Sequence, residues 1–209
     1  MTKLDLKKTY RHLYLPSAKK VSVVDVSAFQ FVMVDGRLEV GETPETSDAF
    51  RQAMQALYGL AYTLKFSSKL RDEDPIDYTV MALEGLWWVE SGRFDLQPEQ
   101  PWYWTMMIMQ PDHIDRAMYE AALAQVRQKQ DNPALAKARF ERFEEGLAMQ
   151  IMHIGPYADE PRTLGKMAAF ADEIGYTYRG KHHEIYIGDP RRAKPENLRT
   201  VLRQPVRRG

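Results

Sequence analysis

The chain has 209 residues, with 29 basic and 29 acidic side chains, 44% hydrophobic residues and no cysteine. Balanced charge leaves no global field to draw nucleic acid or an anionic membrane, and the missing cysteines exclude disulfides, thiolate catalysis and thiolate-held metals. The length is enough to bury a sizeable core, and the charged opening MTKLDLKKTYRHLY, with no run of membrane-span length, leads us to expect a soluble, cytoplasmic protein.

In chain order, residues 1–20 are expected as a charged lead-in, with Tyr10, Leu13, Tyr14 and Leu15 docked on the body. Val21 to Val40 reads as strand, with Phe29, Phe31 and Met33 on one face, Val32 and Val34 on the other, and a turn or bulge at Asp35-Gly36. After the break at Gly41 to Pro44, Thr46 or Ser47 is a helix cap, and Phe50, Met54, Leu57, Tyr58, Ala61 and Leu64 recur at helical spacing as far as Phe66. Tyr78 to Glu90 is predicted as a strand bulged at Gly85. A loop from Ser91 to Pro101 and a strand from Trp102 to Gln110 follow, the latter with Trp102, Trp104, Met106 and Ile108 on one side. Pro111-Asp112 is expected to open a helix, and Pro133 to Glu145 to form a second, closed by Gly146. Leu147 to Ile154 is strand, Gly155-Pro156 a turn and Pro161 to Ile174 a helix with Leu164, Met167, Ala168 and Ala171 inward. Strands at His183 to Ile187 and Leu198 to Val206 complete the chain. The arginines between Arg191 and Arg208 read as solvated edge residues.

The last third thus repeats the order of the first: strand, helix, strand, strand. Ile108-Met109-Gln110-Pro111 and Leu202-Arg203-Gln204-Pro205 fall at the same place in each unit, as an internal duplication would leave them. The fold class is therefore α+β: two tandem modules of antiparallel strands with helices on one face, related by a pseudo-two-fold axis, with a cleft between them.

Glu184 is the residue that needs explaining. Alternation places His183, Ile185 and Ile187 on one side of their strand and Glu184 with Tyr186 on the other. The pattern alone leaves two readings: a solvated acid with a basic neighbour, or a reactive carboxylate in a cleft. Trp87, Trp88, Trp102 and Trp104, followed by Met106, Met107 and Met109, are either core or the walls of a pocket for a flat apolar ligand. Glu84, just before the paired tryptophans, is either a satisfied buried acid or a second site carboxylate. No metal and no cofactor is expected: His182, His183 and Glu184 split between strand faces, and there is no HExxH, Gly-rich phosphate loop or GxSxG.

Several segments together resemble one family. They are Val24-Asp25-Val26, Phe31 to Gly36, Ala56 to Tyr62, Leu83-Glu84-Gly85-Leu86-Trp87-Trp88, Trp102-Tyr103-Trp104-Thr105, Gln110-Pro111-Asp112, Glu145-Gly146, Ile154-Gly155-Pro156-Tyr157, His182 to Tyr186, and Asp189-Pro190-Arg191-Arg192. Their order and spacing are similar to the GyrI-like small-molecule-binding family in its stand-alone branch, over roughly Val21 to Val206. The resemblance implies a first module at 21–111, connecting helices at 112–145 and a second module at 146–206. Members include effector domains of multidrug-responsive regulators, sequestering proteins, gyrase-inhibitor proteins, and hydrolases of electrophilic cyclopropane rings.

For this chain the resemblance implies Glu184 as the functional acid that activates water, with Tyr157 and Tyr186 as catalytic partners. Ligand-binding candidates are Trp87, Trp88, Trp102, Trp104, Glu84 and His183. The expected partner is a flat hydrophobic small molecule, either an electrophile that is hydrolysed or a cation that is only bound. With only about 20 residues ahead of the modules, no DNA-binding helices and no direct nucleic-acid partner are expected. One departure is that Gly36-Arg37-Leu38-Glu39-Val40-Gly41 lacks the Gly-x-Gly form expected before the first helix.

Overall fold

The computed structural model describes residues 1–91, 94, 99–188 and 193–209; part of the loop before Trp102 and the Asp189-Pro190-Arg191-Arg192 segment lie outside the described residues. The lead-in is folded, as strand β1 (Thr2–Leu4) and two short helices, α1 (Leu6–Thr9) and α2 (Arg11–Tyr14). Leu13 and Tyr14 are buried and Tyr10 meets Phe29 edge-on with ring centres 4.7 Å apart, but Leu15, also expected to dock, is 40% exposed.

The body then runs β2 (Ser22–Val26), β3 (Phe29–Leu38), α3 (Asp48–Leu70), β4 (Ile76–Tyr78), β5 (Leu83–Trp88), β6 (Trp102–Gln110) and α4 (Arg116–Lys129). It continues with β7 (Arg139–Phe143), β8 (Gly146–Ile154), α5 (Glu160–Glu173), β9 (Tyr176–Tyr178), β10 (His182–Tyr186) and β11 (Arg199–Arg208). Nine strands form one antiparallel sheet in the order β2-β8-β11-β10-β5-β6-β3-β7, with β9 paired to β11; β1 and β4 form a separate parallel pair. Outward from the central β5–β10 pair the order is β5-β6-β3 on one side and β10-β11-β8 on the other. Three strands of each predicted unit thus lie in the same spatial order and the units join edge to edge, but the predicted Val21–Val40 strand is two, β2 and β3, and β2 pairs with β8 in the other unit.

The helices cover one face. Ser47 caps α3 by accepting from the Phe50 amide, and Ala53, Ala56, Leu57, Leu60, Ala61 and Leu64 give it a buried stripe at three- and four-residue spacing. On α5, Met167 and Ala171 pack with Met149, Ile151 and Leu202 in a second cluster. The register places Ile151, Leu202, Glu184, Gly85, Met106 and Val34 in one cross-strand row, so all six share the helix-covered face.

Four expectations are corrected. Asp35-Gly36 is not a turn: β3 pairs with β6 without interruption to Leu38, and Gly36 is there because the Trp104 ring lies on it, where an added Cβ would come 2.1 Å from Cζ2. The Tyr78–Glu90 strand is two elements, β4 and β5, and β5 is unbroken at Gly85, which pairs with both Met106 and Glu184. Helix α4 starts at Arg116, after Asp115 rather than Asp112 caps it through the Met118 amide at 2.8 Å. The second connecting helix is a 3-10 turn at Pro133–Ala136 and then β7, an edge strand on β3 in which buried Phe140 lies opposite Val32. Its Ala-, Lys- and Arg-rich composition favours helix, but an open sheet edge and a buried aromatic outweigh propensity.

Candidate functional site

β10 lies between β5 and β11, and its alternation sorts five residues into two clusters. His182, Glu184 and Tyr186 face the helices; His183 and Ile185 face α1 and α2. On the helix side Trp87 Nε1 donates to Tyr186 Oη at 3.0 Å, and Tyr186 Oη donates to Glu184 Oε2 at 2.7 Å. An indole N–H can only donate, so the one phenolic hydrogen is directed to the carboxylate. Gly85 makes the arrangement possible: a Cβ there would sit 2.9 Å from Trp87 Nε1 and 2.6 Å from Met106 Cε. Glu184 is only 6% exposed. His182 Nε2 lies 3.3 Å from Glu184 Oε1, yet it is buried and makes no hydrogen bond among the described residues.

Aromatic rings surround this pair. Phe94 stacks on His182 with centres 5.6 Å apart and on Trp87 at 6.3 Å, and meets Trp102 edge-on at 4.9 Å. Phe50 of α3 stacks on Trp87 at 6.0 Å and touches Trp104 edge-on at 5.3 Å. Trp104 is the buried floor rather than a wall, at 1% exposure.

The turn into α5 supplies the remaining groups. His153 holds it, with Nδ1 2.9 Å from Thr163 Oγ1 and Nε2 3.1 Å from the Pro156 carbonyl. Tyr157 then meets Tyr186 edge-on at 6.0 Å. Glu160, the first residue of α5, is 2% exposed and lies beside the Thr200 side chain, and among the described residues its Oε1 has no hydrogen-bond partner. Thr200 is directly opposite Tyr186 in the ladder. Burial, reinforced by the Glu184 charge, pushes the Glu160 carboxyl up to about 9. Burial and the same two acids push Tyr157 up to about 12, and burial with Glu184 holds Tyr186 well above the ordinary phenol value. Both phenols therefore keep their protons at neutral pH.

The other face is a closed ionic network. His183 Nε2 is 3.0 Å from Glu84 Oε2, and its Nδ1 is 3.0 Å from the Glu145 carboxylate. Arg203 Nη1 donates to Glu145 at 3.0 Å, its Nε to Gln150 Oε1 at 3.1 Å and its Nη2 to the Leu13 carbonyl at 2.9 Å; Tyr14 Oη donates to Glu84 at 2.6 Å. Burial lowers the His183 pKa, but Glu145 and Glu84 outweigh it and bring the ring to about 9. Burial raises Glu145, and His183 with Arg203 overrides that and holds it at about 2. Arg203, expected as a solvated edge arginine, is 2% exposed here.

The structure therefore brings Glu184, Tyr186, Tyr157, Trp87 and Trp102 together, with Trp104 beneath. Glu84 and His183 lie inside the network on the opposite face; Trp88 is on that face too but outside the network, stacked on Tyr103 at 5.8 Å with Lys181 Nζ 3.3 Å from its ring centre. Sequence reading missed His182, Phe94 and Glu160. Strand alternation alone would have found His182, two residues from Glu184; Glu160 looks like any acid in the first turn of a helix.

The GyrI-like small molecule binding domain matches residues 19–207. The chain belongs to the GyrI-like family. Among curated proteins none matches this GyrI-like chain. Among solved structures it is similar to an uncharacterized conserved protein from Listeria innocua, at 36% identity and a TM-score of 0.88, covering 98% of this chain and 100% of that one. Two hydrolases from Listeria innocua are also similar. One has 35% identity and a TM-score of 0.86 over 99% of this chain. The other has 33% identity and a TM-score of 0.82 over 98%, and each is itself covered completely, at 100%.

Proposed function

We propose that this GyrI-like protein hydrolyses flat, hydrophobic electrophiles that carry an activated cyclopropane, with Glu184 activating the attacking water. The observation that carries the reading is the buried Trp87–Tyr186–Glu184 relay with an unpartnered His182 nitrogen beside it, enclosed by aromatic rings. A carboxylate withdrawn from bulk water but hydrogen-bonded on one oxygen keeps its other oxygen for a water proton. Glu184 Oε1, facing His182, is that second oxygen. Trp87 and Trp102 would hold a planar ring system in line for attack. Phe94 now lies against Trp87, Trp102 and His182 where such a ring would stack, so a ligand reaches Glu184 by displacing it.

Water attacks a ring methylene, the strained C–C bond breaks, and its electron pair passes through the conjugated system to a carbonyl oxygen. Tyr186 cannot serve that oxygen, because its hydrogen is already on Glu184. Tyr157, protonated and at the edge of the cluster, can donate to it. The two Listeria innocua hydrolases lend the reading support through their likeness to this chain.

A test substrate is the spirocyclic dienone with a cyclopropane at the para carbon of a cyclohexadienone, which gains one water to become para-hydroxyphenethyl alcohol. Wild type should form it faster than buffer, and Glu184→Gln should not. An anion among indole faces also attracts organic cations, which favours a second reading, sequestration without turnover. Tight binding of the flat cation rhodamine 6G, lost in Glu184→Gln and without product from the dienone, would establish that reading instead.

A further inference from the structure

Charge arriving on a ligand oxygen needs a proton as well as a hydrogen bond, and one residue outside the relay is built to supply it. Glu160 is a buried carboxyl on the Glu184 face, beside Thr200, with its Oε1 unpartnered among the described residues. Its position is fixed from three sides. α5 carries it, the His153 contacts to Pro156 and Thr163 clamp the turn before it, and Thr200 links it to the strand position opposite Tyr186. A buried, unpartnered carboxyl oxygen is costly unless it carries a proton or meets a ligand.

We propose that Glu160 is the acid of this site: it brings a proton into the complex and gives it to the carbonyl oxygen of the ligand while Glu184 takes one from water. Its role rests on the hydrolytic reading above. The groups around it are Glu184 and Tyr186 from β10, Thr200 from β11 and Tyr157 from its own turn, and Tyr157 in turn meets the charge of Glu45 from the segment before α3. Burial and the neighbouring Glu184 keep it protonated up to a pH of about 9, so at neutral pH Glu160 has a proton to give.

The step balances. The O–C bond forms from water, the C–C ring bond breaks, and its electron pair arrives at the carbonyl oxygen, which takes the Glu160 proton. The water proton ends on Glu184. When product leaves, that proton returns to Glu160 and the pair is reset.

The test is the pH–rate profile of dienone hydrolysis for the full chain and its variants. Wild type should lose kcat above a pH of about 9 as Glu160 ionises. Glu160→Gln should lower kcat by roughly 10²- to 10⁴-fold, with KM little changed and the falling limb gone; Glu160→Asp should keep that limb. Thermal unfolding of each variant shows that it is folded. Turnover by Glu160→Gln equal to wild type, or a falling limb that survives in it, overturns the proposal while leaving Glu184 as base. Absence of wild-type turnover removes the hydrolytic reading itself, and the role of Glu160 with it.

Discussion

The strand from His182 to Tyr186 carries two buried polar clusters back to back, and they differ in how completely their atoms are matched. Toward α1 and α2, the side chains of Tyr14, Glu84, Glu145, Gln150, His183 and Arg203 bond one another and the His12 and Leu13 carbonyls. Toward α3 and α5, buried His182 Nε2 and Glu160 Oε1 make no hydrogen bond among the described residues, and the rings of Phe94, Trp87 and Trp102 lie beside His182. A saturated network has no valence left for a ligand and acts as a fastener. An unsaturated one beside stacking surfaces is where a small molecule gains most.

The comparison can be broken from the fastening side first. Arg203→Met leaves buried Glu145 with His183 alone of its two cationic partners and the Leu13 carbonyl without its donor. It should cost about 3–5 kcal/mol in denaturant unfolding, while the folded fraction keeps its ligand affinity. Equal loss of affinity would mean that the two faces are one functional unit. Next comes Tyr186→Phe, which strips Glu184 Oε2 of its donor and the Trp87 N–H of its acceptor. About 1–3 kcal/mol of stability and a fall in dienone turnover are expected together, read by the same unfolding curves and by product formation.

A pH series of thermal unfolding separates the faces by sign. Glu145, depressed from 4.5 to about 2, contributes stability that is present above pH 4.5 and lost as pH falls toward 2. His183, raised from 6.5 to about 9, contributes stability that is complete below pH 6.5 and lost as pH climbs through 9. The fastener is therefore complete between 4.5 and 6.5. Glu160, raised from 4.5 to about 9, tilts that plateau, because its contribution fades steadily above pH 4.5. Glu160→Gln should flatten the tilt and leave both outer edges in place. The smallest change in stability is expected from Phe94→Ala, whose partly buried ring covers His182. Its measurable effect should be faster association of rhodamine 6G in stopped-flow fluorescence.

Much of this was legible from periodicity. The Trp102–Gln110 strand, the α5 stripe and the pairing of Glu184 with Tyr186 on one face follow from alternation and spacing alone. Alternation also separated His183 from Glu184, but it says which side a residue takes and not what covers that side. Glu84 and His183 were grouped with the pocket because nothing local reveals that residues 12–14 seal the opposite face. Glu160 escaped for a related reason: its burial is set by contacts to β10 and β11, far away in the chain. β7 reads as helix from its residues because composition cannot show that β3 has a free edge.

Carrying both clusters on alternate residues of one five-residue strand also governs assembly. If β10 slid by a single position against β11, His183 would leave its two acids for the indoles and Glu184 would be driven toward Glu84 and Glu145. Each one-residue slip is thus punished twice, once by stranded charge and once by wet aromatics. The chemistry at the centre of the sheet doubles as a key that keeps each cluster on its own side when the two halves align.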